Sequence, residues 1–148
     1  MNIVILDSGC DLSIKALEQY VKYIDLYIYD KSNWKITQEI NTEKVLCHGS
    51  IVTRIILDNS EKNNLKLSIF RIFDENSVCN ASVLISALSY IYQNIDCDII
   101  HMSLGVRTYN KELEKICYQL YKKGIIIVSA FDNAGAVSYP AGFDFVIG

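Results

Sequence analysis

Short, continuous apolar runs separated by stretches of helical periodicity set the rhythm of the chain. Ile3-Val4-Ile5-Leu6 is apolar throughout and breaks at Asp7-Ser8-Gly9, the pattern of a strand buried on both faces and then a turn. Ser13 can cap a helix with Leu17, Tyr20, Val21 and Ile24 on one face. Leu26, Ile28 and the stretch from Lys35 to Ile40 are expected to form short strands or a hairpin. A helix opens at His48 and runs to about Leu57, with Ile51, Val52, Ile55 and Ile56 on its expected inner face. The polar stretch from Asp58 to Asn64 reads as a loop, and Leu65 to Phe73 as a strand.

The second half repeats this alternation. Asn80 can cap a helix that turns Leu84, Leu88 and Ile91 inward, and Cys97 to Met102 reads as a strand. Asn110 caps the cleanest helix, with Leu113, Ile116, Cys117, Leu120 and Tyr121 expected inside. Glu112 and Glu114 near its start and Lys122 and Lys123 near its end suit the helix dipole, and Gly124 can serve as its C-cap. Ile125 to Val128 reads as a further strand, and Phe145-Val146-Ile147 starts one more. Strands alternating with amphipathic helices predict an α/β fold of three layers, a parallel sheet flanked by helices on both faces.

Composition narrows the function. The 148 residues fit one domain, and 51% apolar residues can fill a core. A net charge of −3 offers no footprint for nucleic acid or an anionic membrane, and no apolar run reaches membrane-span length. The start, Met1-Asn2-Ile3-Val4, lacks the basic region of a secretory signal, and the first strand begins too early to leave room for a propeptide. The five cysteines form no CxxC pair, so neither a zinc site nor a disulfide framework is expected. Reduced thiols in a cytoplasmic setting are expected, and no metal or cofactor is implied.

Open parallel sheets bind ligands at the carboxyl ends of their strands. Asp7 ends the first strand, Asp74 follows the strand from Leu65, Ser103-Leu104-Gly105 follows the strand from Cys97, and Asn133 follows the strand from Ile125. His48, opening a helix, can lie at the same edge. Each has a plain reading as well: Asp7 and Asn133 as turn formers, Asp74 as a loop residue, Cys10 and Asp11 as shapers of the turn after Asp7, and His101 as a partly buried strand residue. Cys47 beside His48 suggests thiol chemistry, but neighbours opening a helix diverge by about 100°, which argues against direct activation.

Read together, the motifs resemble the subtilisin-like serine peptidases, the subtilase family. Leu6-Asp7-Ser8-Gly9 resembles the family's aspartate motif, and Cys47-His48-Gly49-Ser50-Ile51-Val52 resembles its histidine motif, HGTHVAG. Ile100-His101-Met102-Ser103-Leu104-Gly105 is similar to the substrate-cleft segment I-N-M-S-L-G. Ile126 to Asn133, with Ser138-Tyr139-Pro140-Ala141 beyond, is similar to the oxyanion-asparagine strand and the wall of the specificity pocket. The motifs stand in the family's order and span nearly the whole chain. The resemblance implies a subtilisin-like fold, incomplete at its C-terminal end, with residues 1–148 as part of a subtilase catalytic domain. It implies peptide-bond hydrolysis by an Asp-His-Ser triad, with His48 as base, Asp7 orienting it and Asn133 donating to the oxyanion. Ser103, Leu104 and Gly105 would offer backbone groups to an extended peptide or protein substrate.

Four positions depart from the pattern. Ile51 stands where the family has a second histidine, Arg54 where it has a glycine, His101 where it has an asparagine, and Asp132 where a glycine precedes the oxyanion asparagine. Asp132 would oppose an oxyanion if its charge pointed inward. The serine motif G-T-S-x-A-x-P does not occur in these residues. The serine is therefore expected from a missing C-terminal segment or from a second chain. Without its last third the sheet would expose an apolar patch, favouring oligomers or a partner. The alternative is a degenerate, non-catalytic subtilase that binds peptide or a protein partner. A doubly wound phosphotransfer or dehalogenase-like domain using Asp7 is a third reading, but its D-x-D pattern is absent.

Overall fold

The computed structural model describes residues 1–11, 13, 17, 24–30, 35–38, 48–60, 65–73 and 79–148, with the backbone alone described for 24–30 and 35–38. The strands are β1 (Asn2–Asp7), β2 (Ile24–Asp30), β3 (Lys35–Gln38), β4 (Lys66–Arg71), β5 (Ile99–Met102) and β6 (Ile126–Ser129). The helices are α1 (His48–Asp58), α2 (Ala81–Asn94) and α3 (Lys111–Lys122). One six-stranded sheet has the order β3-β2-β4-β1-β5-β6. Every pairing is parallel except the edge hairpin of β2 with β3.

β1 runs through the centre, and its alternation divides the core in two. Val4 and Leu6 join Phe70, Ile100, Met102 and Ile127 against α2 and α3, whose Leu84, Leu88, Ile91, Leu113, Cys117 and Leu120 fill that layer. Ile3 and Ile5 face the other way, with Leu17, Leu57, Leu67 and Ile69 beneath α1. This strand is buried on both faces because helices cover both, as its unbroken apolar run requires. On the α1 side, cover thins beyond β1. Ile126 of β6 is about half exposed, and Ile99, His101 and Val128 are only half-buried.

The helix caps follow the sequence. Asn80 accepts from the Val83 amide at 3.0 Å, and Asn110 accepts from the Glu112 and Leu113 amides at 2.9 and 3.0 Å. Gly124 stands at φ +86° just past α3, where left-handed backbone favours glycine.

Several expected details are corrected. Ile51 and Ile55 are exposed, at 53% and 57%, while Gly49, Ser50, Thr53 and Leu57 form the buried stripe of α1. The helix starts so close to β1 that only small residues fit its first inner turn, which rotates the isoleucines outward. Tyr121 lies at the flank of the α3 stripe, about half exposed, and packs on Tyr118 and Phe145. Ile24 opens β2, opposite Leu67 of β4, and is not a helical residue. Tyr20, Val21, Cys47 and Asp74 lie outside the described residues. After β6 the chain returns at Ile147, which forms an isolated parallel bridge with Val128.

Candidate active site

Parallel pairing brings the ends of β1, β5 and β6 to one edge of the sheet. Asp7, the last residue of β1, is 1% exposed. His48, the first residue of α1, sets its Nδ1 3.0 Å from both carboxylate oxygens of Asp7. A carboxylate can only accept, so Nδ1 donates and Nε2 carries the ring's lone pair. Asp7 is buried while the His48 side chain is 62% exposed, so the anchor is fixed and the base is open to an incoming group.

Ser8 completes the mounting, a role that sequence reading missed although the residue lies within Asp7-Ser8-Gly9. Its amide and Oγ donate to Asp7 Oδ1 at 2.7 and 3.1 Å. The same Oγ accepts from the Gly49 amide at 3.1 Å, tying the start of α1 to the end of β1. Ser50 adds a second tie by accepting from the Asp11 amide at 2.8 Å. Asp11 in turn accepts from the Ser13 amide and hydroxyl, the turn-shaping role expected of it.

His101 of β5 lies in register with Ile5, on the face that carries Asp7. Its Nδ1 is buried without a hydrogen-bond partner among the described residues. Burial holds this imidazole below its ordinary pKa of 6.5; the Asp7 charge opposes that shift and His48 adds to it. The half-buried strand position agrees with the sequence reading, and its electrostatic link to the Asp7–His48 pair comes from the fold.

Ser103, Leu104 and Gly105 leave the end of β5 at the same edge. Leu104 is buried, and its carbonyl accepts from Ser129 Oγ at 3.0 Å. Gly105 packs against Ser138, where a Cβ would come within 2.8 Å of that hydroxyl oxygen. One residue on, Val106 and Tyr139 exchange two backbone hydrogen bonds of 2.8 Å, which joins the segment after β5 to the Ser138–Ala141 stretch. Asn133 occupies the turn after β6 with an exposed side chain. It follows β6 at the same edge, and the hydrogen bonds of Asp7 and His48 among the described residues do not include it.

Two departures from the family pattern have clear outlets. Arg54 is on the outer side of α1 and pairs with Asp58 one turn later at 2.6 Å. The Asp132 carboxylate meets Arg107 at 2.9 and 3.0 Å and the Ala134 amide at 2.8 Å. That backbone hydrogen bond, then Arg107, holds its carboxyl below the usual range.

These features define a class: a parallel α/β domain with a histidine–carboxylate pair at the carboxyl edge of its sheet. The chain matches the subtilase family over residues 1–148 and belongs to it. Among curated relatives it is 29% identical over 113 residues to subtilisin DY of Bacillus licheniformis, covering 68% of this chain and 41% of that protein. It is 26% identical over 164 aligned positions to the minor extracellular protease Epr of Bacillus subtilis (strain 168), covering 99% of this chain and 22% of that protein. The chain thus spans less than half the length of either relative. Its fold matches the prenylagaramide maturation protease PagA with a TM-score of 0.71 at 20% identity, covering 99% of this chain and 51% of that one. The psychrophilic subtilisin-like protease Apa1 from the Antarctic psychrotroph Pseudoalteromonas sp. AS-11 gives 0.74 at 23% identity, covering 98% and 34%.

Proposed function

We propose that this chain supplies the aspartate, the histidine and the oxyanion asparagine of a subtilisin-like serine endopeptidase, with the serine contributed by residues beyond these 148 or by a second chain. The observation that carries the reading is the Asp7–His48 pair, with Nδ1 3.0 Å from both oxygens of a buried carboxylate. Asp7 fixes the tautomer and stabilises the imidazolium. Nε2 of His48 takes the proton of the serine hydroxyl as it attacks the scissile carbonyl, then returns it to the leaving amine. The side-chain amide of Asn133 donates to the oxyanion; loss of such a donor costs about 10²–10³ in kcat, the range known from subtilisin itself. The substrate is an extended peptide that adds as a strand along Ser103, Leu104 and Gly105, whose backbone is held in place by Ser129 and by the Val106–Tyr139 bridge.

The test is fluorophosphonate labelling of the protein isolated from its own cells, with intact mass measured in parallel. Labelling that is lost in His48→Ala, on this chain or on a co-purifying one, is the expected result. A protein that carries a serine motif and still shows no labelling and no peptide hydrolysis overturns the enzyme. The non-catalytic, peptide-binding form would then hold. Two of its sequence motives carry less weight once Arg54 is turned outward and Asp132 is held by Arg107.

A further inference from the structure

We propose that Arg107 and Asp132 act as a clasp that positions Asn133, a pair of positioning residues in the reaction above. The inference rests on that reading, because it assigns the clasp to the residue proposed as oxyanion donor. Arg107 lies in the segment after β5, two residues past Gly105, and Asp132 lies in the turn after β6, directly before Asn133. Nε of Arg107 donates to Asp132 Oδ2 at 3.0 Å, and Nη2 lies 2.9 Å from the same oxygen as an ion pair. The other oxygen, Oδ1, accepts from the Ala134 amide at 2.8 Å, and the Asp132 carbonyl accepts from the Gly135 amide at 2.9 Å. Gly135, at φ +77°, takes the left-handed backbone at the end of this turn. Asn133 therefore sits inside a turn whose first residue is bonded twice across it and once to the neighbouring segment.

The far side of the clasp is itself anchored. Arg107 follows Val106, which is fixed by its two hydrogen bonds to Tyr139. The clasp thus transmits the position of the proposed substrate-binding segment to the turn that carries Asn133. It also settles the charge. A lone carboxylate beside an oxyanion donor would oppose the negative charge that develops there, whereas a carboxylate already paired with a guanidinium opposes it far less. The Arg107 side chain is 73% exposed, so the pair adds little to stability. Its effect is local, on the turn. A glycine at the position of Asp132, as in the family pattern, has no carboxylate for Arg107 to hold.

Two measurements test it. In the serine-bearing protein, Arg107→Ala should lower kcat about tenfold and leave KM within about twofold, because the loss falls on transition-state positioning. Asp132→Ala should do at least as much, and the double variant should be no worse than Asp132→Ala alone, since the two residues act as one unit. Unchanged kcat in Arg107→Ala, or strictly additive losses, overturns the proposal. The second measurement needs no activity. In the protein isolated from its own cells, Arg107→Ala should speed amide hydrogen exchange at Ala134 and Gly135 about two- to fivefold, as expected for an exposed ion pair. Should the parent lack peptidase activity altogether, the functional reading falls and exchange alone decides the clasp. Faster exchange supports it, and unchanged exchange overturns it.

Discussion

Gly49 approaches Gly9 so closely that a Cβ on Gly49 would overlap the Gly9 carbonyl oxygen and press on Asp7. The start of α1 can therefore rest on the end of β1 only if the residue after His48 has no side chain. This contact, with the Ser8 hydroxyl bridging the same two elements, sets the distance between His48 and Asp7.

Gly49→Ala should consequently destabilise the chain, although alanine is the better helix former by about 1 kcal/mol. Overpacking at a backbone contact costs about 1–3 kcal/mol, so a lower urea midpoint is expected. The same variant should weaken the His48–Asp7 hydrogen bond. Its imidazole Nδ1–H resonance, followed by NMR, reports this directly.

Asp7→Asn keeps the shape of the anchor but presents an amide that can donate to Nδ1. The ring then favours the tautomer with its lone pair on the wrong nitrogen. In the serine-bearing protein kcat should fall by about 10⁴. Steady-state kinetics with a peptide substrate, with circular dichroism to show that the fold persists, provide the check.

His101 predicts a dependence on acid. Its folded pKa is held below the ordinary 6.5, chiefly by burial, so the unfolded chain binds this proton more readily than the folded one. The stability it allows is complete above about pH 6.5 and is lost as pH falls below that value toward the folded pKa. Asp7 and His48 are the titratable groups that act on it, in opposite directions. His101→Asn should flatten the decline in stability below about pH 6.5. Urea titrations of parent and variant at several pH values isolate this contribution.

The Asn110 cap is independent of the site. Its side chain satisfies two amides at the start of α3, and Asn110→Ala should cost about 1 kcal/mol without affecting the Asp7–His48 pair. A shift in urea midpoint with unchanged histidine NMR signals is the expected combination.

Much of the architecture was legible because local rules agree with it. The unbroken apolar run of β1, the alternation of strands and amphipathic helices, and the Asn80 and Asn110 caps each mark an element whose burial follows from its own residues. Period alone misplaced Ile51 and Ile55, since helical spacing defines an apolar face but not which way that face turns. The buried face of α1 was decided by the close approach of Gly49 to Gly9. Tyr121 went outward for a related reason: an aromatic at the flank of a stripe can pack on Tyr118 and Phe145 as readily as on the core.

The sequence by itself determined the sheet-and-helix alternation, the edge at which Asp7, His48, Ser103 and Asn133 gather, and the family motifs that name them. These are carried by residue type and spacing, which a linear chain displays. Only the tertiary structure decided that Ser8 mounts Asp7, that His101 shares the electrostatic field of Asp7 and His48, and that Arg107 holds Asp132. These arrangements join segments distant in the chain, 25 positions apart for Arg107 and Asp132 and 41 for Ser8 and Gly49. Nothing local in the sequence states such a distance, because it is set by how strands register in the sheet and how closely a helix settles on it.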